Sequence, residues 1–136
     1  MSDVKVFVSY SRRDAAVAEK ISQALRGIKV LTTSLDTDVK PGDDFRKAIF
    51  SSLKSSDAVL AIATSPDVAS HSWTGYEIGA AEALRKPIIL MTSDRYSLSE
   101  FPESLASYPV VVFNPEQPER AAREIAERLS SYLVKS

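Results

Sequence analysis

The side chains best suited to chemistry lie in one short segment, where Trp73 and Glu77 are four residues apart. On a helix this spacing places both on one face, and Ala81 and Leu84 continue that stripe with apolar groups. A carboxylate on an inward-facing stripe is unusual, because burying an unpaired charge is costly. Two interpretations stand: Glu77 acts on a ligand, or it is an acid that favours the helix dipole.

Other side chains in the sequence could hold a nucleotide-like ligand. Arg12 and Arg13 follow the first apolar run, and guanidinium groups match phosphate oxygens well, although a solvated basic pair is the alternative. Trp73 and Tyr76 could stack on a flat heterocycle, although aromatic residues on a helix face also serve as core. These side chains therefore need a structural framework before they indicate a site.

Five short apolar runs supply that framework, at residues 4–9, 28–33, 57–64, 87–91 and 110–113. Helix-period segments lie between them, and the last helix begins at Pro118, a residue suited to a helix start. The run at 57–64 is almost wholly apolar, as in a strand buried on both faces. Strands that alternate with helices predict an α/β fold: a five-stranded parallel sheet in the flavodoxin-like order 2-1-3-4-5, with helices on both faces.

Three local signals refine the helices. Asp14 is predicted to cap the first helix, and Gly27 to end it. The third helix is expected over residues 73–85, although Gly75 and Gly79 lower its helix propensity. Glycines at that spacing indicate either a close approach by a backbone or ligand, or tight packing.

The predicted topology indicates where in the fold a ligand would bind. In such sheets ligands bind beyond the carboxyl ends of the strands, where the strand order reverses between strands one and three. Those ends are residues 9–12 and 63–65. Because the third helix follows strand three, its first turn, with Glu77, borders this crevice.

Composition limits the classes of function. A chain of 136 residues suits one domain, expected to span residues 1–136, with one core. The net charge of −1 gives no general attraction to nucleic acid or an anionic membrane, and there is no cysteine. No apolar run is long enough to span a bilayer, and the start does not resemble a signal peptide. We therefore expect a cytoplasmic protein, either this domain alone or a part of a longer chain.

Several enzyme classes lack their motifs. The sequence contains no GxxxxGK[ST] or GxGxxG phosphate loop and no GxSxG elbow. His71 is the only histidine, which disfavours a Ser-His-Asp triad, and no His/Cys cluster indicates a metal site. A receiver domain would need acidic residues after strand one and an Asp at the end of strand three, and neither is present.

Four segments, in the right order, resemble TIR (Toll/interleukin-1 receptor) domains. They are residues 6–11 with Asp14, residues 36–42 with Pro41-Gly42, residues 56–60, and residues 72–77, which are similar to the family's Ser-x-Trp-x-x-x-Glu segment. The resemblance runs from about residue 4 to residue 91, with Thr74 in place of the usual Cys. Many bacterial and plant members cleave NAD⁺ at the nicotinamide–ribose bond. The resemblance to that bacterial type implies that Glu77 is catalytic, binding the ribose and stabilising its developing positive charge.

The resemblance also implies the substrate contacts. NAD⁺ would be the substrate, with no cofactor and no metal. The predicted substrate-binding residues are Phe7, Tyr10, Ser11, Arg12, Asp36, Trp73 and Tyr76. Among them, Trp73, Tyr76 and Phe7 are expected to pack against nicotinamide. Ser11 and Arg12 are expected on the ribose–diphosphate side, and Asp36 is expected to shape or close the site. The product would be ADP-ribose or cyclic ADP-ribose.

Assembly is the other implied property. The BB loop of these domains often completes a neighbour's site, which here assigns Asp38, Pro41, Gly42 and Asp43 to a homo-oligomeric TIR–TIR contact. A sensor domain, fused or separate, and a role in antiphage defence belong to the same expectation. The main alternative is a non-enzymatic TIR interaction module in signalling, since many animal members are adaptors. A flavodoxin-like nucleotide binder is a third and more distant interpretation.

Overall fold

The structure is a computed structural model that describes residues 4–10, 12–33, 45–64, 74–93 and 108–133. Its strands are β1 (Lys5–Ser9), β2 (Leu31–Thr33), β3 (Ala58–Ile62), β4 (Ile88–Ser93) and β5 (Val110–Phe113). Its helices are α1 (Ala15–Gly27), α2 (Phe45–Lys54), α3 (Thr74–Ala83) and α4 (Pro118–Leu133), with a 3-10 turn at Arg12–Asp14 before α1. Within these ranges, no helix is long and apolar enough to cross a membrane.

The strands form one parallel sheet in the order β2-β1-β3-β4-β5. In the register at its centre, Ser9 lies opposite Ala61, and Ala61 lies opposite Leu90. All five residues of β3 are buried, as expected for a strand covered on both faces. The α/β class, the flavodoxin-like order 2-1-3-4-5 and the helices on both faces are therefore confirmed.

The core has two halves, one on each face of the sheet, because successive strand side chains point to opposite faces. On the first face, Val6, Val8, Leu60 and Ile62 pack with α1 and α4. On the second face, Phe7, Val59, Ala61 and Ala63 pack with residues of α2 and α3. The strand residues thus alternate between the two halves with a period of two.

Helix α1 ends in a Schellman motif that shortens β2 relative to the prediction. The Val30 amide donates to the Leu25 carbonyl at 2.9 Å, and the Lys29 amide donates to the Arg26 carbonyl at 3.0 Å. Lys29 has φ 66°, the left-handed conformation that usually favours glycine. Residues 28–30 therefore belong to the helix end, and the predicted strand at 28–33 begins only at Leu31.

Helix α3 ends in the same way. The Arg85 amide donates to the Glu82 carbonyl at 2.9 Å, the Lys86 amide donates to the Ala81 carbonyl at 3.0 Å, and Arg85 has φ 57°. The sequence predicts that this helix ends at residue 85, but it stops at Ala83. Strand β4 runs on to Ser93, two residues further than predicted, because its last residues pair with β5.

Candidate functional site

All five strands of the parallel sheet end at one edge, called here the carboxyl edge. Strands β1 and β3 are neighbours in the middle of the sheet, yet β1 leads to β2 on one side while β3 leads to β4 on the other. This reversal is the point at which sheets of this type bind ligands. The predicted address of the site is therefore the carboxyl edge between Tyr10 and Thr64.

Asp14 joins the two chain segments at this point. The residue is 2% exposed, and its two carboxylate oxygens accept hydrogen bonds from one residue, Thr64. Oδ2 accepts the Thr64 backbone N–H at 3.2 Å, and Oδ1 accepts the Thr64 hydroxyl at 2.5 Å. Burial of a carboxylate requires such bonds, because an unsatisfied buried charge is costly. The Asp14–Thr64 pair thus links the loop after β1 to the end of β3.

The prediction that Asp14 caps α1 was wrong in its mechanism. Asp14 does occupy the residue before the helix, but its side chain makes no capping hydrogen bond. Its oxygens are already used by Thr64, which lies 50 residues away along the chain. Sequence reasoning missed the role of Thr64. The available signal was a polar residue directly after the apolar run of β3.

Thr64 is also held on its carbonyl side. The Ser93 hydroxyl, at the end of β4, donates to the Thr64 carbonyl oxygen at 2.9 Å. The N–H, hydroxyl and carbonyl of Thr64 therefore all have partners from neighbouring segments. The ends of β3 and β4 and the start of α1 form one hydrogen-bonded group at the carboxyl edge.

The predicted catalytic residue, Glu77, lies in the first turn of α3, the helix that follows β3. Tyr76 precedes it in the same turn, and Arg12 opens the 3-10 turn after β1. The side chains of these three residues lie outside the described part of the structure. One turn beyond Glu77, Ala81 is fully buried on the second face of the sheet. The stripe predicted from spacing therefore does lead into the core.

Two of the predicted substrate contacts, Phe7 and Tyr10, pack in the core on opposite faces of the sheet. Phe7 is fully buried on the second face, the face that α3 covers. A ligand would reach Phe7 only if a covering side chain moved, and its ligand role stays a prediction. Tyr10 is half-buried against the core on the first face. The remaining predicted residues lie outside the described ranges: Ser11, Asp36 and Trp73, and the assembly-loop residues Asp38, Pro41, Gly42 and Asp43.

Gly79 departs from its prediction. It is exposed, and a Cβ atom built on it would meet nothing within 4 Å. The expectation of tight packing, or of close approach by a backbone, is therefore wrong at this position. Gly79 lowers the helix propensity of α3, and no contact with the described residues explains its presence there.

A surface groove of about 560 Å³ lies elsewhere, between α1 and α4. It is lined on the α1 side by Lys20, Gln23, Ala24, Gly27 and Ile28, and on the α4 side by Pro115, Pro118, Glu119 and Arg123. None of these residues belongs to the predicted site. The groove therefore has no part in the chemistry predicted for the carboxyl edge.

Comparison with solved structures shows the same fold in other proteins. The chain is similar to the TIR domains of an activated Roq1 resistosome that directly recognizes the pathogen effector XopQ, with a TM-score of 0.67 and 13% identity over 93% of this chain and 99% of that one. It is similar to a metazoan TIR-STING receptor from C. gigas in complex with 2′,3′-cGAMP, with a TM-score of 0.73 and 16% identity over 92% of this chain. That match spans only 39% of the receptor.

The chain is also similar to the CMP N-glycosidase BcmB from Clostridium botulinum, with a TM-score of 0.59 and 20% identity over 90% of this chain and 98% of that one. At such low identities these likenesses show the fold alone. No curated protein matches the sequence. The family model of the TIR domain, however, matches residues 6–129. This chain therefore belongs to the TIR domain family.

Proposed function

We propose that this TIR domain is an NAD⁺ glycohydrolase that cleaves the nicotinamide–ribose bond, with Glu77 as its catalytic residue. The observation that carries the proposal is the place of Glu77 in the first turn of α3, the helix that follows β3 and packs on a sheet whose strand order reverses between β1 and β3. In sheets of this kind ligands bind at that point. The Trp-x-x-x-Glu spacing of the NAD⁺-cleaving members supplies the choice of substrate.

A single carboxylate is enough for this reaction. The bond between ribose C1′ and the pyridinium nitrogen breaks, and its electron pair leaves with the ring, which departs as neutral nicotinamide. No proton donor is therefore needed, whereas ordinary glycoside hydrolysis uses two carboxyl groups. The remaining ribose cation is stabilised by a preorganised carboxylate, the role of Glu77. Water then adds at C1′ and releases a proton to give ADP-ribose, or an adenine nitrogen adds to give cyclic ADP-ribose.

CMP is the natural second substrate to assay, because one of the structural relatives is a CMP N-glycosidase. The two leaving groups make different demands. Cytosine in CMP is neutral, so it would leave as an anion unless a group of the protein donated a proton. NAD⁺ makes no such demand, and a site with one predicted carboxylate therefore favours NAD⁺.

The proposal extends to the setting of the activity. The whole chain, residues 1–136, would form one cytoplasmic TIR domain that assembles with copies of itself through the loop of Asp38, Pro41, Gly42 and Asp43. Assembly would turn on NAD⁺ cleavage in antiphage defence, under the control of a fused or separate sensor domain. The resistosome and receptor relatives support the TIR–TIR assembly part of this proposal.

The test is nicotinamide release from NAD⁺ by concentrated protein, followed by chromatography that separates ADP-ribose from cyclic ADP-ribose. Glu77→Gln keeps the shape of the side chain and removes its charge, and we expect it to lower the rate by about 100-fold or more. Glu82→Gln is the matched control: it makes the same change near the far end of α3, and its amide oxygen can still accept the Tyr108 hydroxyl. Undiminished release in Glu77→Gln would rule out the role given to that residue.

The second candidate is a non-enzymatic interaction module, which the receptor relative favours. It predicts no release of nicotinamide at any protein concentration or state of assembly. It also predicts that substitution of Pro41 or Gly42 abolishes partner binding while Glu77→Gln leaves it intact. Concentration-dependent turnover that is lost in Glu77→Gln would exclude it.

A further inference from the structure

Asp14 occupies a place that a strand would normally fill. Successive amides of a β-strand point to opposite neighbours. Val59 in β3 and Ala63 directly after it both donate toward β4, to the carbonyls of Pro87 and Met91 at 2.8 and 3.0 Å. The next amide, that of Thr64, therefore faces the side of β1. Strand β1 has already ended at Ser9. The Asp14 carboxylate accepts this amide at 3.2 Å, in place of a β1 carbonyl.

The local geometry of Asp14 serves Thr64 rather than α1. Asp14 has φ −100° and ψ 11° and makes no capping bond, although it directly precedes the helix. It is also almost completely buried. An aspartate at a helix start ordinarily stabilises the helix by capping it. Asp14 makes no such capping bond and instead accepts a second hydrogen bond from Thr64, donated by its hydroxyl. The side chain therefore stabilises the position of Thr64 rather than the start of α1.

The Asp14–Thr64 pair holds together the two segments on which the predicted site is built. On one side, Asp14 ends the 3-10 turn that begins with Arg12, a predicted diphosphate contact. On the other side, Thr64 begins the chain that leaves β3 for α3 and Glu77. Thr64 is fixed from its carbonyl side as well, by the Ser93 hydroxyl. Loss of the pair would free these two segments to shift relative to each other.

We infer that Asp14 is a positioning residue. It acts through Thr64 to hold the loop after β1 and the chain after β3 in the relative position that the ligand requires. The catalytic part of this role rests on the proposed function, because it requires that Glu77 acts on a ligand. Asp14 itself would touch neither the substrate nor the reacting atoms. Displacements of about 1 Å in such supporting structure can lower turnover by about 100-fold.

Two variants of Asp14 separate positioning from a direct effect of its charge. Asp14→Ala removes both bonds to Thr64, and we expect kcat for nicotinamide release to fall about tenfold to 100-fold. Asp14→Asn can keep both: its Oδ1 accepts the Thr64 amide, and its Nδ2 donates to the hydroxyl, which then acts as the acceptor. We therefore expect Asp14→Asn to restore most of kcat. An Asp14→Asn protein as slow as Asp14→Ala, with the Thr64 amide still protected, would overturn the inference.

Hydrogen exchange of the Thr64 amide, followed by NMR, provides a readout that does not depend on activity. Asp14→Ala is expected to reduce the protection of this amide about tenfold or more, as for loss of a bond to a charged group. Asp57→Ala is the matched control, because Asp57 Oδ2 accepts the Lys5 amide at 2.9 Å at the opposite edge of the same two strands. It should leave both Thr64 protection and kcat unchanged. Unaltered Thr64 protection in Asp14→Ala would show that the pair does not hold the segment.

Substitutions of Thr64 keep the test decisive if Asp14→Ala does not fold. Thr64→Val removes only the hydroxyl bond, and Thr64→Ser retains both bonds, so we expect a lower kcat in the former and near-wild-type kcat in the latter. Equal turnover in the two variants would contradict the inference. If wild-type protein releases no nicotinamide, the proposed function fails, and the Asp14–Thr64 pair is then judged by Thr64 exchange alone.

Discussion

Replacement of Lys29 by glycine is expected to raise the free energy of unfolding, whereas a substitution to glycine ordinarily lowers it. Lys29 occupies the left-handed position of the Schellman motif that ends α1, with φ 66°. That conformation costs a residue with a Cβ about 1–2 kcal/mol. Glycine avoids this cost but loses about 0.5–1 kcal/mol more conformational entropy on folding. The midpoints of these two ranges give Lys29→Gly a net gain of about 0.75 kcal/mol in the free energy of unfolding.

The same argument applies to Arg85, which has φ 57° at the end of α3. For a chain of 136 residues, each substitution should raise Tm by about 2–5 °C. Thermal unfolding followed by circular dichroism, with urea unfolding as a second measure, would detect this. Nicotinamide release, if the protein shows it, should not change. Both helices end just before the start of a strand, at the edge of the sheet opposite the carboxyl edge.

The control for Lys29→Gly is Lys20→Gly, in the middle of the same helix. Lys20 is exposed like Lys29, but it has helical geometry, so glycine there should lower stability by about 1 kcal/mol. The two substitutions thus make one chemical change in one helix with opposite expected signs. If both lower Tm, the left-handed conformation of Lys29 is not a source of strain, and the reasoning is refuted.

Two further substitutions test the packing around the site. Gly79→Ala should raise the free energy of unfolding by about 0.5–1 kcal/mol in a urea titration, because Gly79 is exposed and its added Cβ meets nothing within 4 Å; a lower value would reveal a contact at this position. Leu60→Ala should lower the same quantity by about 2–5 kcal/mol, because Leu60 is fully buried in the central strand. A loss below about 1 kcal/mol would contradict close packing there.

The fold could be predicted because its signals are local. Apolar runs of strand length alternate with helix-period segments, and that alternation predicts a parallel sheet. The observed order is the common one for five such strands. Two of the boundaries that failed, at the ends of α1 and α3, were set by a residue acting against its usual preference. The sequence predicts Gly27 as the end of α1, and the helix does end there, but the left-handed residue that closes the turn is Lys29. No propensity scale marks a lysine for that position.

The candidate site was predictable to a lesser degree, because its decisive contacts join distant parts of the chain. Spacing alone placed Glu77 on the stripe that leads to buried Ala81. The role of Asp14 could not be read in this way, since a local rule assigns an aspartate at a helix start to capping. Its actual partner, Thr64, is brought within reach only when β1 and β3 pair. A tertiary contact has here replaced the local one.

The buried polar side chains of the described residues are concentrated at one edge of the sheet. Ser9, Asp14 and Thr92 lie at or beside the carboxyl ends of β1 and β4, whereas Ser56 precedes β3 at the opposite edge. Buried polar groups lower stability unless they are bonded, so a sheet selected for stability alone has no reason to collect them at one edge. Topology independently assigns ligands to that same edge. Replacement of the buried polar residues at the carboxyl edge should therefore affect ligand binding or turnover more than the free energy of unfolding. Replacement of the apolar core residues of β3 should lower the free energy of unfolding first.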